Sequence, residues 1–335
     1  MATKPRITVT GGAGYIGSIT CNHLLRLGFD LQIIDNLSTG TRYALQKLSE
    51  ARICIGDVRD EAFLIRQLNG FKPHAILHFA AKAYVGESIT LPLEYFDNNV
   101  VGSISLVKAA ISTGVRNIVF SSTCAVYGSP RFVPVDEQSE VAPVSPYGWT
   151  KLTTEQFLDG LARSKEVNAI ALRYFNAAGA SDDHELGEIH DPETHLIPLA
   201  LRATMQDGEP LKIFGVDYPT EDGSCERDFL HVQDLATAHQ LAVERLCGLN
   251  SIGFFKALNL GLGKPYSVFQ IIDLVERITG RRVNREVTNR REGDAVSIFS
   301  NAALAQQFLA WKPQRDLESM ISSAYKFELR HRGLI

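Results

Sequence analysis

Nowhere in the 335 residues does an apolar run reach the roughly 18 residues needed to span a bilayer, so no membrane span is expected. The opening segment, Met1 to Thr10, lacks the apolar stretch and small-residue cleavage site of a secretory signal. Long basic stretches are missing too. The 34 Lys and Arg against 38 Asp and Glu give a net charge of −4, which argues against a nucleic-acid partner. Cysteine is sparse: five residues, odd in number, widely spaced and without a CxxC pair. That excludes a disulfide framework or a cysteine zinc site and leaves free thiols, as expected in the reducing cytoplasm. There is no repeat, no low-complexity tract and no Gly/Ser linker between the two halves.

What is present is ordinary globular composition, 45% hydrophobic and 21% charged. The length exceeds one small core, so two lobes that share an interface are expected, with the ligand in the cleft between them. The first half alternates apolar runs with helical patterns. Ile7–Val9, Leu31–Ile34, Ile53–Ile55, Ala75–Phe79, Asn117–Phe120 and Ala169–Leu172 read as strands, several nearly continuous in apolar character, as a buried parallel sheet requires. Between the first two, Ile16, Thr20, Leu24 and Leu27 form one helix face that stops at Gly28. The reading is a Rossmann-type doubly wound α/β sheet over 1–176, followed by a smaller mixed α/β substrate lobe over 177–335, with the chain free to cross between them. Beyond Asn176 the pattern turns irregular, and Ser181–Thr194 has no period. A helix reappears at Val268, Ile271, Ile272, Val275 and Ile278, with Ser267 as N-cap and Gly280 as stop.

Thr10-Gly11-Gly12-Ala13-Gly14-Tyr15-Ile16-Gly17 follows the first strand and opens the first helix. Gly11, Gly12, Gly14 and Gly17 satisfy both GxxGxxG and GxGxxG. Such glycines let backbone approach a pyrophosphate, and the helix start offers free N–H groups to the anion. Asp35 ends the second strand, 18 residues past Gly17. A carboxylate there accepts from a ribose 2′-hydroxyl and repels a 2′-phosphate, which favours NAD over NADP. Asp57-Val58 after the third strand, Phe79-Ala80-Ala81 after the fourth and Asn98 on a helical pattern beyond are expected to line the same cofactor.

Ser145-Pro146-Tyr147 reads as a helix start, with Ser145 as cap and Pro146 at the first helical position. Tyr147 and Lys151 then stand at i and i+4 on one face, about 6 Å apart at Cβ. A phenol is a poor base near neutrality, and a neighbouring ammonium favours the phenolate. Lowering its pKa by about 3 units takes roughly 4 kcal/mol. A Tyr so poised can remove or return a hydroxyl proton. Thr123, just past the fifth strand, is placed to bridge the Tyr147 oxygen and a substrate hydroxyl.

Together these residues resemble the extended short-chain dehydrogenase/reductase family over nearly the whole chain. Within it, Ile213 to Gly223, Arg227-Asp228-Phe229-Leu230-His231-Val232 and Arg290-Arg291-Glu292-Gly293-Asp294 look like the nucleotide-sugar 4-epimerases. The resemblance implies reversible C4 epimerisation of UDP-glucose and UDP-galactose by way of a 4-keto sugar, with tightly bound NAD and Tyr147 as acid/base. It further implies Lys151 on the nicotinamide ribose and Thr123 as hydroxyl partner. Tyr15, Ile16, Asn36 and Phe175 join the cofactor contacts. Asn176, His195, Leu196, Ile213, Phe214, Asp294 and Ile298 line the UDP-sugar site, and Arg227 and Arg291 clamp the diphosphate. His195 replaces an amide often found beside the phosphates, and Ile298 stands at the position that gates the sugar pocket. His190 and His195 are not spaced to share a helix face, so no metal is expected. The family commonly dimerises through two helices per subunit; those of Tyr147–Leu161 and Leu106–Ile111 are the candidates for a homodimer. Competing readings are an epimerase of UDP-xylose/UDP-arabinose or UDP-N-acetylhexosamines, a dehydratase, and a non-catalytic NAD-binding sensor. Cys124-Ala125 stands where a dehydratase carries Asp-Glu, which argues against elimination, and a sensor would not need Thr123, Tyr147 and Lys151 together.

Overall fold

The structure is a computed structural model that describes residues 4–206, 208–291 and 293–335, so Met1 to Thr3, Asp207 and Glu292 of the quoted segments lie outside it. Its centre is a seven-stranded sheet. Six strands come from the first 176 residues: β1 (Arg6–Thr10), β2 (Asp30–Asp35), β3 (Arg52–Ile55), β4 (Ala75–His78), β5 (Asn117–Ser121) and β6 (Asn168–Tyr174). The spatial order is Phe255–Leu260, β6, β5, β4, β1, β2, β3, and every pairing is parallel.

Burial explains the apolar runs. Alternate residues point to opposite faces, and both faces are covered. Ile33, Leu77, Val119 and Ile170 pack with helix α1 (Tyr15–Arg26) and helix Val232–Cys247. Their neighbours Ile34 and Ile76 pack instead with Leu64, Leu68 and Leu106 from the helices Glu61–Phe71 and Gly102–Ser112. The edge strand β3 differs: Ile53 and Ile55 are exposed. Helix α1 ends at the expected place, with Gly28 in the left-handed region at φ +79°.

Residues 177–335 are not confined to a substrate lobe. Helix Val232–Cys247 packs against α1, and strand Phe255–Leu260 extends the sheet beyond β6, so the chain returns to the first layer before leaving again. The lobe proper has its own core. Ile197, Leu201, Ile213, Phe229, Ile271, Ile272, Val275, Met320 and Ile321 gather there from the helices Leu196–Arg202, Val268–Thr279 and Leu317–His331 and two short strands. Ser267 caps its helix in a full capping box with Gln270, and Gly280 closes it at φ +67°. Asp228, fully buried, fastens lobe to sheet. Its carboxylate accepts from Leu262 N, Gly263 N, Ser300 N and Ser300 Oγ at 2.7–3.1 Å.

Candidate active site

Strand order reverses between β1 and β4, and a cleft of about 80 Å³ opens at the carboxyl ends of the strands there. Gly11, Gly14, Asp35, Asn36, Val58, Phe79, Ala80, Ala81 and Asn98 line it, all read from the sequence. Ile34, Ser38, Thr39, Gly40 and Gly56 line it as well and were not singled out. The signal for Gly40 lay in the Ser38-Thr39-Gly40 turn after Asp35. A Cβ at Gly40 would come within 2.9 Å of Asp35 Oδ1, so only glycine lets that turn close over the carboxylate.

The loop glycines divide by task. A Cβ on Gly17 would meet Gly11 O at 2.2 Å, and one on Gly11 would meet Ala80 N at 2.5 Å. These two serve the packing of the loop on itself and on β4. A Cβ on Gly14 meets nothing nearer than 3.4 Å, so the space it leaves open is the cleft itself. Gly14 is also the N-cap of α1 and offers no side-chain cap, which leaves first-turn N–H groups for an anion. Asp35 accepts from Ala13 N at 2.9 Å and Leu37 N at 2.8 Å, one bond per oxygen. A carboxylate has about four acceptor positions, so two remain for a ribose diol. Burial raises its pKa, and the two N–H groups oppose the rise. The site therefore fits a dinucleotide without a 2′-phosphate.

Asp57 departs from expectation. Its carboxylate is gripped by Arg59 and by Asn36 Nδ2 at 2.9 Å, and Arg59 holds its pKa far below the usual range. Its neighbours Gly56 and Val58, not Asp57, face the cleft. Asn98 lies on a wide-turned π-helical segment, Phe96–Val101, of a kind frequent at functional sites. Tyr15 turns its hydroxyl to Gly179 O at 2.7 Å, across to the segment that leads into the lobe.

Helix Pro146–Arg163 begins as read, with Ser145 Oγ accepting from Gly148 N. Tyr147 and Lys151 are both buried on it. Lys151 Nζ lies 5.8 Å from the centre of the Tyr147 ring and donates to Ser121 O at 2.8 Å, and the Thr123 hydroxyl is hydrogen-bonded to Tyr147. The expected downward shift of the phenol is not found. Burial pushes Tyr147 well above the usual phenol value, Tyr174 adds to the rise, and the Thr123 hydrogen bond only opposes it. Burial also pushes Lys151 down to about 7, against the pull of Glu155. Desolvation disfavours both charged forms and outweighs their mutual attraction, since the ammonium sits over the ring and bonds a carbonyl.

Behind these two runs a buried network that sequence reading missed. Glu155, one turn past Lys151, accepts from Ser122 Oγ and pairs with Arg173 on β6. Arg173 in turn donates to Tyr127 at 3.0 Å. It clamps helix Pro146–Arg163 to the strand end that carries Thr123.

The lobe residues are partly gathered. Phe175 and Ile298 pack together with Val126, Tyr127 and Leu152 beside Tyr147's helix. Arg227 acts on the thiols of both Cys124, next to Thr123, and Cys225, and Arg291 also acts on Cys225. Arg227 donates to Ala295 O at 2.8 Å and to Asp294 at 3.2 Å. The Arg291 guanidinium lies 3.7 Å from the centre of the Phe214 ring, over its face. Asn176 spends one amide N–H on Asp228 O at 2.8 Å. Leu196 packs against the lobe core. Ile213 does not line a site: its side chain is 1% exposed, in that core, because alternation along the strand turns Lys212 and Phe214 outward instead. His195 is the N-cap of helix Leu196–Arg202, but its side chain pairs with Glu188 instead of capping.

Residues 7–252 match the model of the NAD dependent epimerase/dehydratase family. The chain is 45% identical over 325 residues, 97% of each chain, to the UDP-glucose 4-epimerase of Rhizobium meliloti. Among solved structures it is similar to a UDP-glucose-4-epimerase from Stenotrophomonas maltophila with bound NAD and formylated UDP-arabinopyranose. The TM-score there is 0.94, with 36% identity over 99% of this chain and 100% of that one. The UDP-glucose 4-epimerase from Brucella ovis in complex with NAD gives 0.91 and 43%, over 96% and 97%.

Proposed function

We propose, for a chain that belongs to the NAD dependent epimerase/dehydratase family, that it interconverts UDP-glucose and UDP-galactose by inverting C4, with Tyr147 as the acid/base. The observation that carries this is the convergence of Thr123, Tyr147 and Lys151 beside a cleft whose Gly14 and Asp35 suit NAD. When bound, NAD supplies a hydride acceptor and the positive charge of the oxidised nicotinamide.

The protein's part is positioning and proton transfer. Tyr147 Oη takes the C4 hydroxyl proton, directly or through Thr123 Oγ1, and returns a proton to the 4-keto sugar after it has turned over. Lys151, held at Ser121 O, keeps the ring and the ribose diol in register. Arg227 and Arg291 hold the diphosphate, and Arg291 leaves Phe214 as uracil stacks there; Asp294 takes the uridine ribose. Asn176 offers its second N–H to the sugar side, and Ile298 sets the width of the sugar pocket. A UDP end held by charge and a sugar end bounded by apolar walls let the keto sugar rotate without escaping.

The enzyme works as a cytoplasmic homodimer. Among the described residues no helix is long and apolar enough to cross a membrane, and the five cysteines are free. Leu106 itself is buried within the subunit. The apolar residues exposed for a dimer face are Ile89, Leu93, Phe96 and Val101, on the segments leading into its helix, and Trp149 on the helix of Tyr147. The test is UDP-galactose conversion by purified protein without added NAD. UDP-glucose should form, and Tyr147→Phe should lose it while keeping bound NAD. No conversion even with NAD supplied, but turnover of UDP-arabinose or UDP-N-acetylhexosamines, would move the substrate assignment and leave the family standing.

A further inference from the structure

Sequence spacing gave no reason to expect a metal, because His190 and His195 do not share a helix face. The structure removes that objection, since 184–195 form no regular helix. Among the described residues, one donor atom each from Glu188, His190, Glu193 and His195 comes within 4.8 Å of all the others. His190 Nδ1 lies 3.1 Å from Glu188 Oε1, and both His190 Nδ1 and His195 Nδ1 lie 3.7 Å from Glu193 Oε1. Zinc bonds of about 2.0–2.1 Å to nitrogen and oxygen imply ligand-to-ligand edges of about 3.4 Å in a tetrahedron. These three separations bracket that edge; the fourth pair, His195 Nδ1 and Glu188 Oε1, is in direct hydrogen-bond contact and opens when an ion enters.

Two further observations point to a cation. The Glu193 side chain is 98% buried (2% exposed), yet its Oε2 has no hydrogen-bond partner, and Arg202 Nη2 stands off at 3.8 Å. His190 Nδ1 is buried and makes no hydrogen bond, although Glu188 Oε1 is near enough in distance. With its proton on Nε2, His190 turns the Nδ1 lone pair toward the two carboxylates, and an ion between them would take it. Two carboxylates and two neutral imidazoles balance one divalent ion. Imidazole donors favour zinc over magnesium or calcium. His195 is half exposed and supplies an entry path.

We propose that Glu188, His190, Glu193 and His195 form a zinc-binding site outside the catalytic machinery of Tyr147, Thr123 and Lys151. It pins the irregular 188–195 segment beneath Tyr84, whose ring meets His190 edge-on at 5.6 Å, and beside Tyr15 of the glycine loop at 6.4 Å. Zinc here orders the connection between the cofactor loop and the start of helix Leu196–Arg202.

The test is equilibrium competition for Zn²⁺ between chelator-stripped full-length protein and a chromophoric chelator, with Mg²⁺ as control. One Zn²⁺ per chain is expected, and Co²⁺ should give the visible bands of a tetrahedral site. Loss of an outer-shell partner typically weakens metal affinity about 10–100-fold, so loss of a direct ligand should cost at least about 100-fold. Glu193→Gln is the main variant, because its amide oxygen still accepts from Thr194 N and His195 N and the fold is retained. His190→Asn is the second. No competition by the wild-type chain, or binding that both variants keep, would overturn the site. The readout is independent of turnover, so it fails or stands apart from the proposed reaction.

Discussion

Gly14 and Gly17 stand three residues apart in the same loop, and replacing each by alanine should break different things. At Gly17 the new methyl would lie 2.2 Å from Gly11 O and 3.0 Å from Gly11 C. Both are backbone atoms, and Gly11 cannot retreat, because it already sits against Ala80 at φ +75°. The contact has to open by roughly 1 Å, which places the cost at the upper end of overpacking, about 3 kcal/mol. At about 2–4 °C per kcal/mol that lowers the apo-protein Tm by roughly 6–12 °C.

At Gly14 the backbone is extended, φ −79° and ψ 173°, and open to any residue. Alanine there costs about 0.5–1 kcal/mol as a poorer N-cap, but its methyl enters the cleft where a pyrophosphate approaches. Melting each variant without and with NAD separates the two effects. NAD at 100 times Kd stabilises the wild type by about 2.7 kcal/mol, and a tenfold loss of affinity cuts that to about 1.4. Gly14→Ala should melt within about 4 °C of wild type alone and show about half the NAD-induced rise. An undiminished rise in Gly14→Ala, or a Gly17→Ala chain as stable as wild type, would refute the division of tasks.

Three other outcomes are expected. Burial lowers Lys151 from 10.5 to about 7, so between those values the unfolded chain binds the extra proton; the apo protein gains stability as pH rises from 7 toward 10.5, and Lys151→Met should flatten that slope in urea titrations at several pH values. Glu155→Gln removes the buried partner of Arg173 and should cost about 3–5 kcal/mol by urea unfolding, while Glu155→Leu/Arg173→Met together should cost less than either break alone. Asp228→Ala strands four donors at the junction of lobe and sheet and should cost at least about 3 kcal/mol by the same measurement, with little change for a surface control such as Asp217→Ala.

Local rules made much of this fold legible. Ser267 and Gly280 bound their helix as read, and Ser145-Pro146 started the helix that puts Tyr147 and Lys151 on one face, because capping and 3.6-residue periodicity act within a few residues. Family resemblance carried the lobe residues less evenly. It placed Ile213 at a site, where strand alternation instead turns that side chain into the core. Features made by long-range convergence left no local signal. Glu155 meets Arg173 only once helix and strand have docked, and Glu188 to His195 converge through a segment with no period at all.

The protonation of Tyr147 shows why spacing alone is insufficient. An i,i+4 ammonium suggests a lowered phenol pKa, but spacing carries no information about how dry the site is. In the folded chain desolvation acts on both members of the pair, raising Tyr147 and lowering Lys151. Both then favour their neutral forms, and the pair rests uncharged in alkaline solution below the phenol's shifted value. A positive charge brought in beside the phenol reverses the balance for Tyr147, and one that displaces Lys151 from Ser121 O toward the hydroxyl would add to it. Competence for proton transfer therefore depends on the filled cleft. A pH titration of the Tyr147 absorbance, wild type minus Tyr147→Phe, should show a phenol value above the ordinary one in stripped protein and a clear downward shift once NAD is bound.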